Sequence, residues 1–123
     1  GWPHRFDLNG KTAGIIGVGK IGAVLVRILD GFGCRVLAHD IEPSLELQQK
    51  FGLEYVSCEK LCAESDIISL HVPLTESTRY LINQQKIERM KKGVMLINTS
   101  RGGLVDTKAV IAAISASGMV KLM

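Results

Sequence analysis

Gly17-Val18-Gly19-Lys20-Ile21-Gly22 is the stretch on which the reading of this chain turns. An apolar run, Ala13-Gly14-Ile15-Ile16, leads into it, and an apolar-periodic segment reaching Phe32 leads out. That is the pattern of a strand turning sharply into a helix. Backbone N–H groups then converge on one point with the positive end of the helix dipole behind them, which is a place to hold a phosphate. Gly17 permits the turn, Gly19 lets a pyrophosphate approach without meeting a Cβ, and Gly22 lets the helix lie close to its strand. Glycine-rich turns are common and many bind nothing, so the motif takes its meaning from what surrounds it.

Eighteen residues beyond Gly22, Asp40 closes a second strand-like run, Arg35-Val36-Leu37-Ala38-His39. An acidic residue at that distance is placed to accept hydrogen bonds from the adenosine ribose of NAD. A lone aspartate just before Pro43 would more simply cap a turn. With the glycine motif in register ahead of it, cofactor binding is the better reading, and the implied cofactor is NAD.

The rest of the chain alternates in the same way. Gly1 to Gly10 is polar and irregular and reads as a connector following something else. The helix from Lys20 to Phe32 places Ile21, Val24, Leu25, Ile28, Leu29 and Phe32 on one face, which predicts that this face packs on a sheet. Gly33 supplies its C′ residue. Pro43 and Ser44 open a short helix that Gly52 stops, Glu54-Tyr55-Val56 is a third strand, and Ser57 caps a helix through Glu64. Asp66 to Val72 is a nearly continuous apolar run, as in a strand covered on both faces, and Pro73 ends it. Asn83 caps a helix to about Met90, and Val94 to Asn98 is a fifth strand. A helix is expected from Asp106 to Ser117 with Gly118 beyond it, and Met119 to Met123 opens a sixth strand that is cut short. Residues 11–123 are thus predicted to form one α/β domain: a doubly wound parallel sheet in three α/β/α layers, the Rossmann fold, as a single isolated cofactor domain.

Composition narrows the partners. With 46% hydrophobic and 22% charged residues the chain can fill a core, and no apolar run approaches the roughly 20 residues of a membrane span. The absence of a signal-peptide h-region leads to the expectation of a cytoplasmic protein. A net charge of +3 is mild, and the one basic cluster, Arg89-Met90-Lys91-Lys92, falls where a helix ends and its dipole favours cations, so no nucleic-acid partner is indicated. Cys34, Cys58 and Cys62 lack zinc-type spacing and read as small core residues, with no metal site expected.

Ligands of an open parallel sheet bind beyond the carboxyl ends of its strands. Three segments lie there: the glycine loop, His71-Val72-Pro73, and Thr99-Ser100-Arg101-Gly102-Gly103. Arg101, flanked by small residues just after a buried strand, has the fork that matches a carboxylate bidentately. Without the cofactor motif opposite, it would read as a surface arginine in a turn.

Together, Gly10-Lys11-Thr12 through the glycine motif, Leu70-His71-Val72-Pro73-Leu74-Thr75, and Asn98 to Asp106 resemble the D-isomer-specific 2-hydroxyacid dehydrogenases, most of all the fermentative D-lactate dehydrogenases. The resemblance covers nearly the whole chain. It implies an NAD-dependent oxidoreductase acting on a small 2-oxo or D-2-hydroxy acid, with Lys20 and Ile21 at the pyrophosphate, Asp40 at the ribose, and Val72, Pro73 and Thr78 along the dinucleotide. It further implies Thr99 and Ser100 at the cofactor, Arg101 as the catalytic residue gripping the substrate carboxylate, and His71 as cofactor wall. Members of this family pair through the cofactor domain, so a homodimer is expected, and Val26, off the predicted core face, points to a further apolar contact. The family's substrate domain, with its catalytic glutamate and histidine, has no counterpart here, so the chain is expected to be inactive alone. Two other readings are a non-catalytic NAD(H)-sensing interaction module of the same family and, more remotely, an S-adenosylmethionine-dependent methyltransferase, in which the Thr99–Gly103 loop would have no role.

Overall fold

Short strands alternating with helices must form a parallel sheet, because each helix carries the chain back to the end from which the next strand starts. The computed structural model describes residues 8–98, 106, 108, 109 and 120–122. In it β1 (Thr12–Ile16), β2 (Arg35–His39), β3 (Glu54–Tyr55), β4 (Ile67–Leu70), β5 (Val94–Asn98) and β6 (Val120–Leu122) form one sheet. The order is β3-β2-β1-β4-β5-β6, and every neighbouring pair is parallel. Helices α1 (Gly19–Gly31), α2 (Leu45–Phe51), α3 (Cys58–Glu64) and α4 (Gln84–Arg89) connect the strands. The order reverses between β1 and β4, where the connections part and leave a crevice at the carboxyl ends.

Alternation along β1 divides the core. Ile15 belongs to a cluster with Ala13, Val26, Leu29, Val36 and Leu53, beneath α1 and α2, whereas Ile16 joins Leu37, Leu61, Ile68, Leu70 and Ile82 on the other face. These are the two interfaces of a three-layer domain.

The helix boundaries follow local chemistry. The side chains of Ser44, Ser57 and Asn83 accept the N–H groups of Leu47, Lys60 and Lys86 at 3.3, 3.2 and 3.0 Å, and Gly52 ends α2 in the left-handed region at φ 66°. Two strands are shorter than their apolar runs. β3 lacks Val56 and β4 lacks Asp66, His71 and Val72, although Val56 and His71 still donate their N–H groups to the carbonyls of Ala38 and Ile16. Asp66 instead accepts the Thr12 N–H through its carboxylate at 2.9 Å.

The predicted packing face of α1 is corrected. Gly22, Val26 and Leu29 are the buried residues of the helix, while Ile21, Val24, Ile28 and Phe32 are 72, 54, 50 and 58% exposed. At about 100° per residue the helix is turned by roughly a quarter revolution from the predicted orientation. The cause is the approach at Gly22, where a Cβ would stand 3.2 Å from the Gly17 carbonyl oxygen. Val26 is accordingly a core residue, and the outlying apolar contact is made available by the exposed row instead. The expected helix over 106–117 and Gly118 lie largely outside the described residues, as does the connector before Leu8.

The cysteines are buried free thiols. Cys58 and Cys62 share a hydrogen bond in the α3 core face, which draws the Cys58 pKa down to about 7 and, with burial, pushes that of Cys62 up. Among the described residues no three His, Cys, Asp or Glu side chains gather to hold an ion.

The chain after α3 packs closely on β1 at Gly14. A Cβ on Gly14 would collide with the Ser65 hydroxyl and lie 2.5 Å from Leu61 Cδ2, and Ser65 Oγ is itself buried with no hydrogen-bond partner among the described residues. Gly14→Ala is therefore expected to destabilise the chain by about 1–3 kcal/mol, the usual scale of overpacking. In urea unfolding Ser65→Ala should be neutral or mildly stabilising and should recover part of the Gly14→Ala loss; additive effects would show that the two sites do not share the clash.

Candidate cofactor-binding site

The crevice is built from the ends of β1, β2 and β4. After Ile16 the chain enters Gly17 at φ 79°, and a Cβ here would run into Val72 and sit 3.0 Å from its backbone nitrogen. Only glycine makes this turn beside β4. The Gly17 N–H donates to the His39 carbonyl at 2.8 Å, and the Val18 N–H donates to Asp40 Oδ2 at 2.9 Å. Asp40 Oδ1 accepts the Glu42 N–H at 3.2 Å. One carboxylate therefore fixes both the glycine loop and the loop that follows β2.

Val18, the N-cap of α1, makes no side-chain cap, and the first turn carries no acidic residue. The next backbone donors, on Gly19, Lys20 and Ile21, belong to the first turn, where a helix has no acceptor of its own. Gly19 adopts φ 49°, and a Cβ built there would find nothing within 4 Å. An anion can approach these groups from the open side.

The resulting cleft has a volume of about 760 Å³. Gly17, Val18 and Gly19 form one bank, Asp40 and Glu42 with Tyr55 close the β2 end, and His71, Val72, Pro73 and Thr78 form the opposite bank. Of the residues singled out in the sequence, Gly17, Gly19, Asp40, Val72, Pro73 and Thr78 line this one cleft. Lys20, Ile21 and Gly22 stand on the first turn of α1, outside the lining; Gly22 meets Gly17 and Val18. Thr99, Ser100 and Arg101 lie outside the described residues.

Two side chains hold the bank beyond β4. Thr78 Oγ1 accepts the Thr75 N–H and donates to the Pro73 carbonyl, both at 2.7 Å, so its hydroxyl folds the loop that carries Pro73. His71 Nε2 is 2.7 Å from the Ser69 hydroxyl, and burial lowers its pKa from the ordinary 6.5. It is neutral at neutral pH and suits the apolar wall better than proton delivery.

Sequence reading missed Ser44, Leu47 and Tyr55, which also line the cleft. Tyr55 is the last residue of β3, one short of the strand end expected at Val56, so its place at the carboxyl end shows only in the structure.

A crevice at the switch point of a doubly wound sheet, with an open glycine turn on one bank and a carboxylate at the end of β2, defines a dinucleotide-binding domain. The chain belongs to the D-isomer specific 2-hydroxyacid dehydrogenase family, whose NAD binding domain is matched by residues 2–121. It is 52% identical over 109 residues to the D-lactate dehydrogenase of Escherichia coli K12, covering 89% of this chain and 33% of that protein. The structure of Salmonella D-lactate dehydrogenase superposes with a TM-score of 0.89 at 49% identity over 95% of this chain and 36% of the other. D-lactate dehydrogenase with NAD+ from Lactobacillus jensenii gives 0.86 at 38% identity, over 95% and 36% of the two chains. The chain spans about a third of the length of the curated relatives it matches. Among these likenesses neither the methyltransferase nor the non-catalytic module finds favour.

Two glycines of the loop should respond oppositely. Gly17→Ala is expected to lower stability by about 1–3 kcal/mol, through the clash with Val72 and the positive φ. Gly19→Ala should fold with a smaller loss, about 1 kcal/mol from its positive φ without any clash, but bind NADH at least tenfold more weakly, since its new methyl stands where the anion would approach. Thermal unfolding and fluorescence titration check both; normal NADH binding by Gly19→Ala would make the loop a structural turn.

Proposed function

We propose that this chain is the cofactor half of an NAD-dependent D-2-hydroxyacid dehydrogenase and that the complete enzyme interconverts a 2-oxo acid and its D-2-hydroxy acid. The observation that carries the reading is Asp40, a carboxylate at the end of β2 whose cleft also contains the open glycine turn. The pyrophosphate would meet the first-turn N–H groups of α1, Lys20 and Ile21 among them, and the ribose hydroxyls would meet Asp40. Val72, Pro73 and Thr78 would flank the dinucleotide, with Thr99 and Ser100 further along. When bound, the nicotinamide supplies or accepts the hydride.

Arg101 would orient the substrate by its carboxylate and polarise the 2-oxo group. An arginine stays protonated, so the proton for the developing alkoxide comes from another group. His71, neutral and bonded to Ser69, does not fit that part. A separate substrate domain of the complete enzyme would contribute the acid and close over the nicotinamide. The buried free thiols accord with a reducing, cytoplasmic setting.

The same protein would act as a homodimer through this domain. Ile21, Val24, Ile28 and Phe32 form an exposed apolar row along α1, which a second copy would cover. Ile28→Glu, at a position half-exposed and away from the core, should leave the fold intact and shift the sedimentation of the complete enzyme from dimer to monomer. A dimer of unchanged strength would place the interface elsewhere.

The experiment for the cofactor is a competition titration of NADH against NADPH. NADH should bind tighter, because Asp40 and the neighbouring Glu42 repel a 2′-phosphate and no adjacent arginine neutralises it. Asp40→Ala should weaken NADH by about 1–3 kcal/mol, the scale of hydrogen bonds to a charged group, and Asp40→Asn, which keeps an acceptor for Val18, should narrow the preference between the two cofactors. Equal or tighter binding of NADPH by the wild type would overturn the assignment of Asp40.

A further inference from the structure

We infer that the Tyr55 hydroxyl is a direct ligand of the adenosine moiety and, through Ser44, the strut that holds the adenosine side of the cleft in shape. The inference deepens the cofactor reading above and rests on it. Tyr55 ends β3 in register with Ala38 of β2, so its ring stands beside the start of the Asp40 loop. The ring packs against the α1–α2 core, and its outer part lines the same cleft as Asp40, Glu42 and Ser44.

The hydroxyl oxygen accepts the Ser44 N–H at 2.8 Å. Ser44 is in turn the N-cap of α2, its Oγ accepting the Leu47 N–H. The loop from Asp40 to Ser44 is therefore fastened at both ends, by Asp40 to the glycine turn and by Tyr55 to β3. Having accepted from Ser44, the hydroxyl keeps its own proton, and among the described residues none accepts it. A partly buried tyrosine normally gives that proton to a partner. In this cleft the partner would be an acceptor of the ligand, a ribose oxygen or an adenine ring nitrogen. Asp40 can only accept from the ribose and Tyr55 can donate, so the two together satisfy both senses of a ribose or adenine hydrogen-bond pattern.

Tyr55→Phe tests this on the full chain. The ring and its packing stay, so the variant should fold with a midpoint lowered modestly by the lost Ser44 bond, while the dissociation constants of NADH and of ADP-ribose, which carries the same adenosine, should rise by one common factor of roughly three to ten, as for the loss of one neutral hydrogen bond. Ser44 amide exchange should also accelerate. A variant that binds both ligands as the wild type does, even with a faster Ser44 amide, would reduce Tyr55 to a structural strut and overturn the inference. A wild-type chain that binds neither ligand would overturn the cofactor reading as well. Because the chain has two tyrosines, Tyr55 and Tyr80, uniform 3-fluorotyrosine labelling gives a check without substitution. The Tyr55 fluorine resonance should move when ADP-ribose is added, and a resonance that stays in place would contradict the contact.

Discussion

The hydrogen bond from the Val18 N–H to the Asp40 carboxylate is the joint on which this site depends. α1 starts without a side-chain cap of its own, and a carboxylate reaching over from the next strand takes that place. It is charge-assisted and half-buried, which makes it stronger than an ordinary cap. With Gly17 bonded to the His39 carbonyl beside it, the glycine turn is stitched to the end of β2 at two successive amides. The remaining first-turn donors are thereby aimed outward together. Phosphate and ribose recognition would in this way belong to one unit, since the residue proposed to read the ribose also sets the position of the glycine turn.

Much of this was legible because it is written in local chemistry. Ser44, Ser57 and Asn83 cap the helices they were expected to cap, and Gly52 and Gly33 end them, since a side-chain oxygen or a left-handed glycine acts within a few residues of itself. The parallel, doubly wound character of the sheet follows from alternation of the elements and the handedness of their connections, whereas the order β3-β2-β1-β4-β5-β6 does not. The rotation of α1 was not legible. Its apolar arc is wide enough to serve two surfaces, and periodicity finds the arc without saying which side meets the sheet. That choice is made at Gly22, by a backbone approach between residues that carry no hydrophobic signal. Tyr55 was hidden for a related reason: its hydroxyl acts on Ser44, which is brought near only by the pairing of β2 with β3.

The cleft divides its tasks along its length. On the proposed reading, backbone groups would serve the pyrophosphate end, where charge is large and no side chain is needed, and side chains, Asp40 and Tyr55, would serve the adenosine at the β2 end. On the β4 bank the polar side chains have partners within the protein, Thr78 on the Pro73 loop and His71 on Ser69. Such a wall would exclude water from a bound dinucleotide without competing for its polar atoms.

Uptake of the dinucleotide by this crevice can be followed in 15N–1H correlation spectra of the chain with and without NADH. The amides of Gly17 to Ile21, of Asp40 to Glu42, and of Val72 and Thr78 should shift together on binding, whereas those of Glu59, Lys86 and Arg89, which border a separate polar cleft between α3 and α4, should stay in place. Shifts centred on that second cleft, or a spectrum unchanged at saturating NADH, would contradict uptake by this crevice.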